Sequence, residues 1–411
     1  MDSGIRKNRM AEATLIVMQS DGTPLANREV VVRQTRHRFL FGTAAFDVVP
    51  LANGEYRGAA WDRAALRAEK LTALFNAATL PFYWAGFEPQ RGQPRTESLK
   101  RAARWCQEHH LWVKGHPLCW HTLTADWLLG FEVPDILQAQ LDRIGREVGG
   151  FLGLIDAWDV INEAVIMPIF VKQDNGITRL CREMGRIETI KATFAAARRA
   201  NPEAMLLIND FDVSPAYDIL VEGCLEAGVP IDAIGIQSHM HQGYWGEEKT
   251  LQVLERLARF GLPIHFTETT LVSGHLMPPE VVDLNDYQVQ QWPTTPDGEE
   301  RQAQEVIRHY ETLFAHPLVE GITWWDLSDG GWLNAPAGLL RADGSSKPAY
   351  DALLDRVKGE WWTSPLKLMT DSAGQVHLCG FLGDYELEWE GASSTFTLLD
   401  HGGQTVGVRL R

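Results

Sequence analysis

The sequence predicts an α/β fold: a parallel (β/α)8 barrel with a small β-sandwich built from the two ends of the chain. Three features point to it. Eight short apolar strands alternate with amphipathic helical stretches from about Phe39 onward. Six of those strands finish in polar or aromatic groups, as barrels do at the face where chemistry sits. Both chain ends switch to the period-two alternation of strands. A doubly wound open sheet is the competing arrangement for the alternating part.

In order along the chain, ATLIVMQSDGTPLANREVVVRQTRHRFLFG alternates around Asp21-Gly22 and predicts a β-hairpin or small sheet. The barrel strands are FLFGTAAF, LFNAATL, VKGHPLCW, AWDVIN, MLLINDF, AIGIQSHM, PIHFTET and GITWWDL. Between them, residues 61–74, 98–109, 136–151, 188–200, 251–260 and 299–314 carry helical periodicity. GEWWTSPLKL (359–368) reads as a linker, followed by strands with turns at Ala373-Gly374, Gly391-Ala392 and Gly402-Gly403. The expected boundaries are 1–37 for an amino-terminal β segment, 38–362 for the barrel and 363–411 for a tail. Neither β segment is long enough to bury a face alone, so the two are expected to pack together.

Composition narrows the partners. The chain has 411 residues, 45% of them hydrophobic, and a formal net charge of -16, with no basic stripe to neutralise phosphates. Nucleic acid and anionic membranes are therefore poor partners, and a neutral substrate suits the chain. Fifteen Trp fit aromatic platforms for sugars as well as ordinary core filling. Cys106, Cys119, Cys181, Cys224 and Cys379 are scattered without metal or redox spacing and read as buried thiols. The amino terminus lacks an apolar stretch of signal-peptide length, and no segment reaches membrane-spanning length. The chain as given reads as cytoplasmic, or as an exported protein written without its signal.

The strand ends carry the chemistry. The third strand ends in His116 with Trp120-His121 beyond it, the fourth in Asn162-Glu163, the fifth in Asn209-Asp210, the sixth in Gln237 and His239, the seventh in Glu268 and the eighth in Trp325. Each alone is more often a cap or a satisfied buried group. Together they put two carboxylates across one barrel mouth. A carboxyl kept protonated by an apolar site can donate to a leaving oxygen, while one held ionised by donors attacks carbon. That is glycoside hydrolysis with retention, for which the carboxyls stand about 5–5.5 Å apart. Gln237 and His239 are expected to hold Glu268, Asn162 to bind a sugar hydroxyl, and Trp325 and Trp332 to stack on sugar faces. His116, His121, His239 and His241 match no zinc spacing, and no GxSxG elbow, GxGxxG turn or P-loop is present. No metal or cofactor is expected.

The ordered motifs resemble glycoside hydrolase family 10, the xylanase family. They are FEPQRG (87–92), GHPLCWH (115–121), TADWL (124–128), WDVINEA (158–164), LLINDF (206–211), IGIQSHMH (234–241), HFTETT (265–270) and ITWWDLSDGGW (322–332). The match runs in register from about Phe39 to Tyr350, and GFLGDYEL (380–387) resembles terminal β segments of some members. The resemblance implies a TIM barrel with Glu163 as acid/base and Glu268 as nucleophile. A monomer acting on a β-linked oligo- or polysaccharide is expected, with Tyr83, Trp84, His116, Trp120, His121, Asn162, Gln237, His239, Trp325 and Trp332 binding substrate. Three positions depart from the family pattern. FNAATLPFYWAGFEP lacks the Glu-Asn pair and has Tyr83 where members carry Lys, Thr270 stands for an Asp, and Asp326 for a Gly. Such losses remove charge-assisted sugar contacts of about 1.5–3 kcal/mol each. A xylan-cleaving enzyme is thus the leading expectation. The alternatives are an exo-acting, aryl- or gluco-accepting β-glycosidase and a carbohydrate-binding protein without turnover.

Overall fold

The computed structural model describes residues 2–399 and 402–410. Strands β1 (Met10–Met18) and β2 (Glu29–His37) precede eight parallel strands that close into a barrel. These are β3 (Leu40–Ala44), β4 (Ala77–Pro81), β5 (Trp112–His116), β6 (Ala157–Asn162), β7 (Met205–Asp210), β8 (Ala233–Met240), β9 (Ile264–Leu271) and β10 (Val319–Trp324). The tail adds β11 (Leu366–Met369), β12 (Gln375–Phe381), β13 (Gly383–Trp389), β14 (Ala392–Leu398) and β15 (Gln404–Arg409).

Burial on both faces explains the unbroken apolar runs. Every residue of β6 and of β9 is buried, because helices cover the outside of a parallel sheet. The helix Thr96–Glu108 shows how they do so: Leu99, Ala102, Ala103 and Cys106 recur at the spacing of one helical face and are its buried set. Neighbouring strands also interlock. Gly115 on β5 pairs with Trp158 on β6, and a Cβ on that glycine would lie 2.2 Å from the indole. Glycine is required there by close approach. From the helix Val133–Gly150, the buried guanidinium of Arg143 donates to the carbonyls of Phe82, Pro117 and Leu118, tying down the chain just beyond β4 and β5.

The two ends do form a sandwich, but β1 and β2 lie in different sheets and not in the one hairpin or small sheet expected. β1 lies in a three-stranded sheet ordered β12-β1-β15, and β2 in a four-stranded sheet ordered β11-β2-β13-β14. Leu15 and Val17 from one sheet and Val30, Val32, Tyr385 and Leu387 from the other share one core. A hairpin would have put both apolar faces on one side with nothing opposite. Crossing between sheets sets them against each other.

The sandwich docks below the barrel, at the amino-terminal end of its strands. Arg9 donates to the carbonyls of Phe314, His316 and Val319 at 2.5–2.7 Å. Residues 359–368 are no linker. Trp361 is fully buried against Phe41 and Phe314, and the Thr363 hydroxyl accepts from the Phe381 N–H at 2.9 Å. Tyr385 likewise belongs to the core of the sandwich, with its ring buried and its hydroxyl donating to the Phe381 carbonyl. Four of the five cysteines are buried as expected, but Cys379 is exposed because alternation along β12 turns it outward. Trp361→Ala is expected to lower stability by about 3–5 kcal/mol in chemical denaturation; a loss below about 1 kcal/mol would make this junction peripheral.

Candidate active site

Four adjacent strands, β6 to β9, bring the candidate groups together at their carboxyl ends. Register sets Asn162 opposite Asn209 and Gln237 opposite Glu268. Just before these residues the ladder slips, between Asp159 and Ile161 and between Ile236 and Gln237. Such bulges re-aim side chains that strict alternation would send elsewhere. Glu163 follows the last residue of β6 with φ 58°, the left-handed region, and its N–H donates to the Asn209 carbonyl at 2.8 Å. A non-glycine residue held there costs of order 1–3 kcal/mol, sustained by the fixed strands around it.

A chain of amides joins the two carboxyls. Asn209 Nδ2 donates to Glu268 Oε1 at 2.9 Å and to Asn162 Oδ1 at 2.7 Å. Asn162 Nδ2 reaches Glu163 Oε1 at 3.3 Å, and Gln237 Nε2 donates to Asn162 Oδ1 at 3.0 Å and Glu163 Oε1 at 3.3 Å. Trp120 Nε1 donates to Glu163 Oε2 at 2.8 Å. His239 Nε2 lies 3.1 Å from Glu268 Oε2, and His116 Nε2 3.8 Å from Glu268 Oε1. Both carboxylic side chains are largely enclosed, Glu163 with 14% and Glu268 with 6% of the side chain exposed.

Gln237 therefore does not hold Glu268 as expected. Both of its amide hydrogens are used on Asn162 and Glu163, and Asn209 takes the place beside Glu268. Asn209 was visible at the end of its strand but had no role assigned. Its position between the two acid-bearing strands gives it one, with Thr267 donating to its Oδ1 and so turning its two N–H groups toward the site.

Burial dominates the electrostatics. It pushes the Glu163 carboxyl up to about 8, although Trp120 donates to it, and the negative charges of Glu268 and Asp210 add to the rise. Asp210 is pushed up to about 7 by burial and accepts from the N–H groups of Val165 and Asp212, which pins the loop after Glu163. One layer deeper, burial opposes the charge of Asp159, yet Lys114 at 2.6 Å and His116 at 2.7 Å hold its carboxyl below the usual range. That contact fixes the ring of His116 under Glu268. His121, brought down to about 4 by burial, sits 3.9 Å from Glu163 Oε2. His239 Nδ1 meets the Thr270 hydroxyl at 3.3 Å, and the same hydroxyl meets buried His241 at 3.4 Å.

Aromatic rings wall the space. Trp325 stands edge-on to His116, His239 and Phe46, while Tyr83 packs against Phe46, His116 and Trp120. Trp332 covers His239 at 4.6 Å between ring centres. Trp84, one of the residues expected to bind sugar, lies in the core instead. It opens the short turn Trp84–Phe87 and points the opposite way from Tyr83, buried with its indole on Glu88 and Arg143 over its face. It serves the core. Asp326 accepts from the Trp332 N–H through Oδ1, its Oδ2 is buried without a hydrogen-bond partner, and burial pushes its carboxyl up to about 7.

The arrangement pairs a carboxyl that burial pushes up to about 8 with one that accepts from Asn209 and faces His239. In 13C spectra of protein labelled at glutamate, one carboxyl is expected to titrate near 8 and to vanish in Glu163→Gln. Loss of no resonance titrating above about 6 in that variant would contradict the assignment.

The family model for glycosyl hydrolase family 10 matches residues 52–356. The chain is 29% identical over 318 residues to endo-1,4-beta-xylanase 3 of Hypocrea jecorina, covering 73% of this chain and 81% of that protein. It is 26% identical over 370 residues to endo-1,4-beta-xylanase C of Paenibacillus barcinonensis, covering 77% of this chain and 33% of that protein, so it spans a third of that relative's length. Among solved structures, a GH10 structure from Paenibacillus barcinonensis superposes with a TM-score of 0.65 at 23% identity, covering 78% of this chain and 96% of that one, a likeness of fold. With the family model spanning both acid-bearing strands and every strand-end group described above, the chain belongs to glycosyl hydrolase family 10.

Proposed function

We propose that the protein is a retaining glycoside hydrolase that cleaves β-1,4-xylosidic bonds in xylan or xylo-oligosaccharides, with Glu163 as acid/base and Glu268 as nucleophile. One observation carries the reading: a buried amide chain couples the two carboxyls, and burial pushes Glu163 up to about 8. The xylan preference rests on the relatives, which are named as xylanases.

In the first step a Glu268 oxygen attacks the anomeric carbon while Glu163 gives its proton to the departing glycosidic oxygen. The carbon–oxygen bond to the leaving sugar breaks and a glycosyl ester forms on Glu268. Glu163, now a carboxylate, takes a proton from water, whose oxygen attacks the same carbon and releases Glu268. Asn209 and His239 orient the nucleophile. Asn162 holds Glu163 with one amide hydrogen and keeps the other for a sugar hydroxyl. Trp120 anchors the second oxygen of Glu163. Trp325, Trp332 and Tyr83 form the apolar walls that a sugar ring would face. We assign the terminal sandwich a structural role, since it docks at the opposite end of the barrel.

Tyr83 and Asp326 favour a second reading within the family, an exo-acting or gluco-accepting enzyme. An aromatic wall and a buried carboxyl with a free oxygen make a differently shaped sugar site from a cationic one. Parallel assays on xylan, an aryl β-xyloside and an aryl β-cellobioside separate the two, with the first product anomer followed by NMR. The β anomer is expected, and a first-formed α anomer would contradict the double displacement. Glu163→Gln is expected to cut kcat on substrates with poor leaving groups by about 10²–10⁴-fold, and Glu268→Gln by at least as much. Activity that needs the protonated acid is present below the Glu163 value and lost as pH rises through it, so kcat/KM should fall through about 8. An alkaline limb unmoved by changes at Glu163 would remove it from the role.

A further inference from the structure

The rim of the barrel is uneven. β7 ends at Asp210 and the next helix begins at Pro215; β8 ends at Met240 and its helix begins at Gly246. The flanking connections are much longer, from Asn162 to the helix at Gly176 after β6 and from Leu271 to the helix at Pro296 after β9. A low flank between two high loops is where a groove holding Glu163 and Glu268 would open to solvent. Here it is bridged. Lys172, from the loop after β6, lies 2.7 Å from Asp283 and 2.5 Å from Asp286, both in the loop after β9. These loops are not neighbours in the barrel, so the contact passes over the ends of β7 and β8.

The bridge belongs to a ring of contacts that runs from one carboxyl to the other. His121, beside Glu163, packs its ring 4.5 Å from that of Phe170. Arg182 holds the Phe170 carbonyl at 2.9 Å, and Lys172 follows two residues on. Across the ion pair, Asn285 accepts from the Trp332 indole at 3.2 Å, and Trp332 covers His239 beside Glu268. The far loop is stiffened by its own cluster, in which Trp292 and Met277 pack on Ala335 and Ala337. Both loops are held independently, and the link between them is ionic.

We propose that the Lys172–Asp283/Asp286 bridge is a specificity strap that roofs this flank of the cleft, so that the enzyme prefers short or terminal β-glycosides over the interior of a polymer. This rests on the glycosidase reading above and adds to it the class of substrate. An exposed ion pair contributes little stability and is screened by salt, so the strap can open.

The test compares wild type, Lys172→Ala and Asp283→Asn/Asp286→Asn, none of which touches the reacting groups. Each is assayed on xylan and on an aryl β-xyloside at about 0.01 M and about 0.15 M ionic strength, between which the screening length falls from about 30 to about 8 Å. The xylan-to-aryl rate ratio is expected to rise about threefold to fivefold in both variants, the range an ion pair of this exposure supports. In wild type the ratio should rise with salt, and in the variants it should not. An unchanged ratio in both variants overturns the strap. Calorimetric titration of xylobiose and a long xylo-oligosaccharide in a Glu268→Gln background needs no turnover, so it separates the two ideas. Tighter relative binding of the long chain after Lys172→Ala supports the strap even where hydrolysis of xylosides fails, whereas equal binding, or none, overturns it.

Discussion

The two carboxyls share one set of buried amides, and most of the local structure follows from keeping that set satisfied. Asn162, Asn209 and Gln237 sit on three consecutive strands and are buried from bulk solvent. Each unmet donor or acceptor there would cost about 1–3 kcal/mol. The observed geometry meets most of them by placing Asn209 between Asn162 and Glu268, and Gln237 between Asn162 and Glu163. The slips in the ladder and the left-handed turn at Glu163 are the backbone's accommodation to that geometry.

The same enclosure sets Glu163 apart chemically from Asp159. Glu163 has donors on both oxygens, and still burial prevails and its carboxyl holds a proton to about 8. Deeper in the barrel, the charge on Asp159 survives complete burial because Lys114 and His116 both reach it. Two carboxyls a few residues apart in sequence thus take opposite states, and partner count against desolvation decides which. The interlocked Gly115 and Trp158, and Arg143 clamped to three carbonyls, keep these strands from shifting under that load.

Much of this was legible in the sequence, for reasons particular residues make plain. Alternating strands and helices carry strong periodicity, and apolar runs that stop at Asn162-Glu163 or before Glu268 are poor cores unless the polar group has a use. The carboxyl pair, Trp120, His239 and Trp325 accordingly lie together at the carboxyl ends of the strands. What the sequence did not reveal depends on direction and pairing. Tyr83 and Trp84 are adjacent, yet one faces the cleft and the other the core, because a short turn begins between them. Asn209 and Gln237 are both amides at strand ends, and register decides which one meets Glu268. The hairpin or small sheet expected at the amino terminus did not form because alternation reports a buried face and says nothing of which strand lies beside it. The 359–368 segment looked like a linker only because its burial of Trp361 is long-range.

The positions that depart from the family pattern cluster around one wall. Thr270 joins His239 to His241 through a single hydroxyl, Tyr83 lines the space near His116, and Asp326 underlies Trp332. The proposed catalytic pair is untouched by these changes while the wall beside it is not, which separates the proposed reaction from its substrate range. Under the proposed mechanism, both depend on Glu268 forming a bond to carbon. The direct measurement is mass spectrometry after incubation with an activated 2-deoxy-2-fluoro-β-xyloside, whose glycosyl ester is slow to hydrolyse. A single added fluoro-sugar on the peptide containing Glu268 is the predicted result. Labelling of any other residue, or turnover by inversion with no adduct at all, would contradict it.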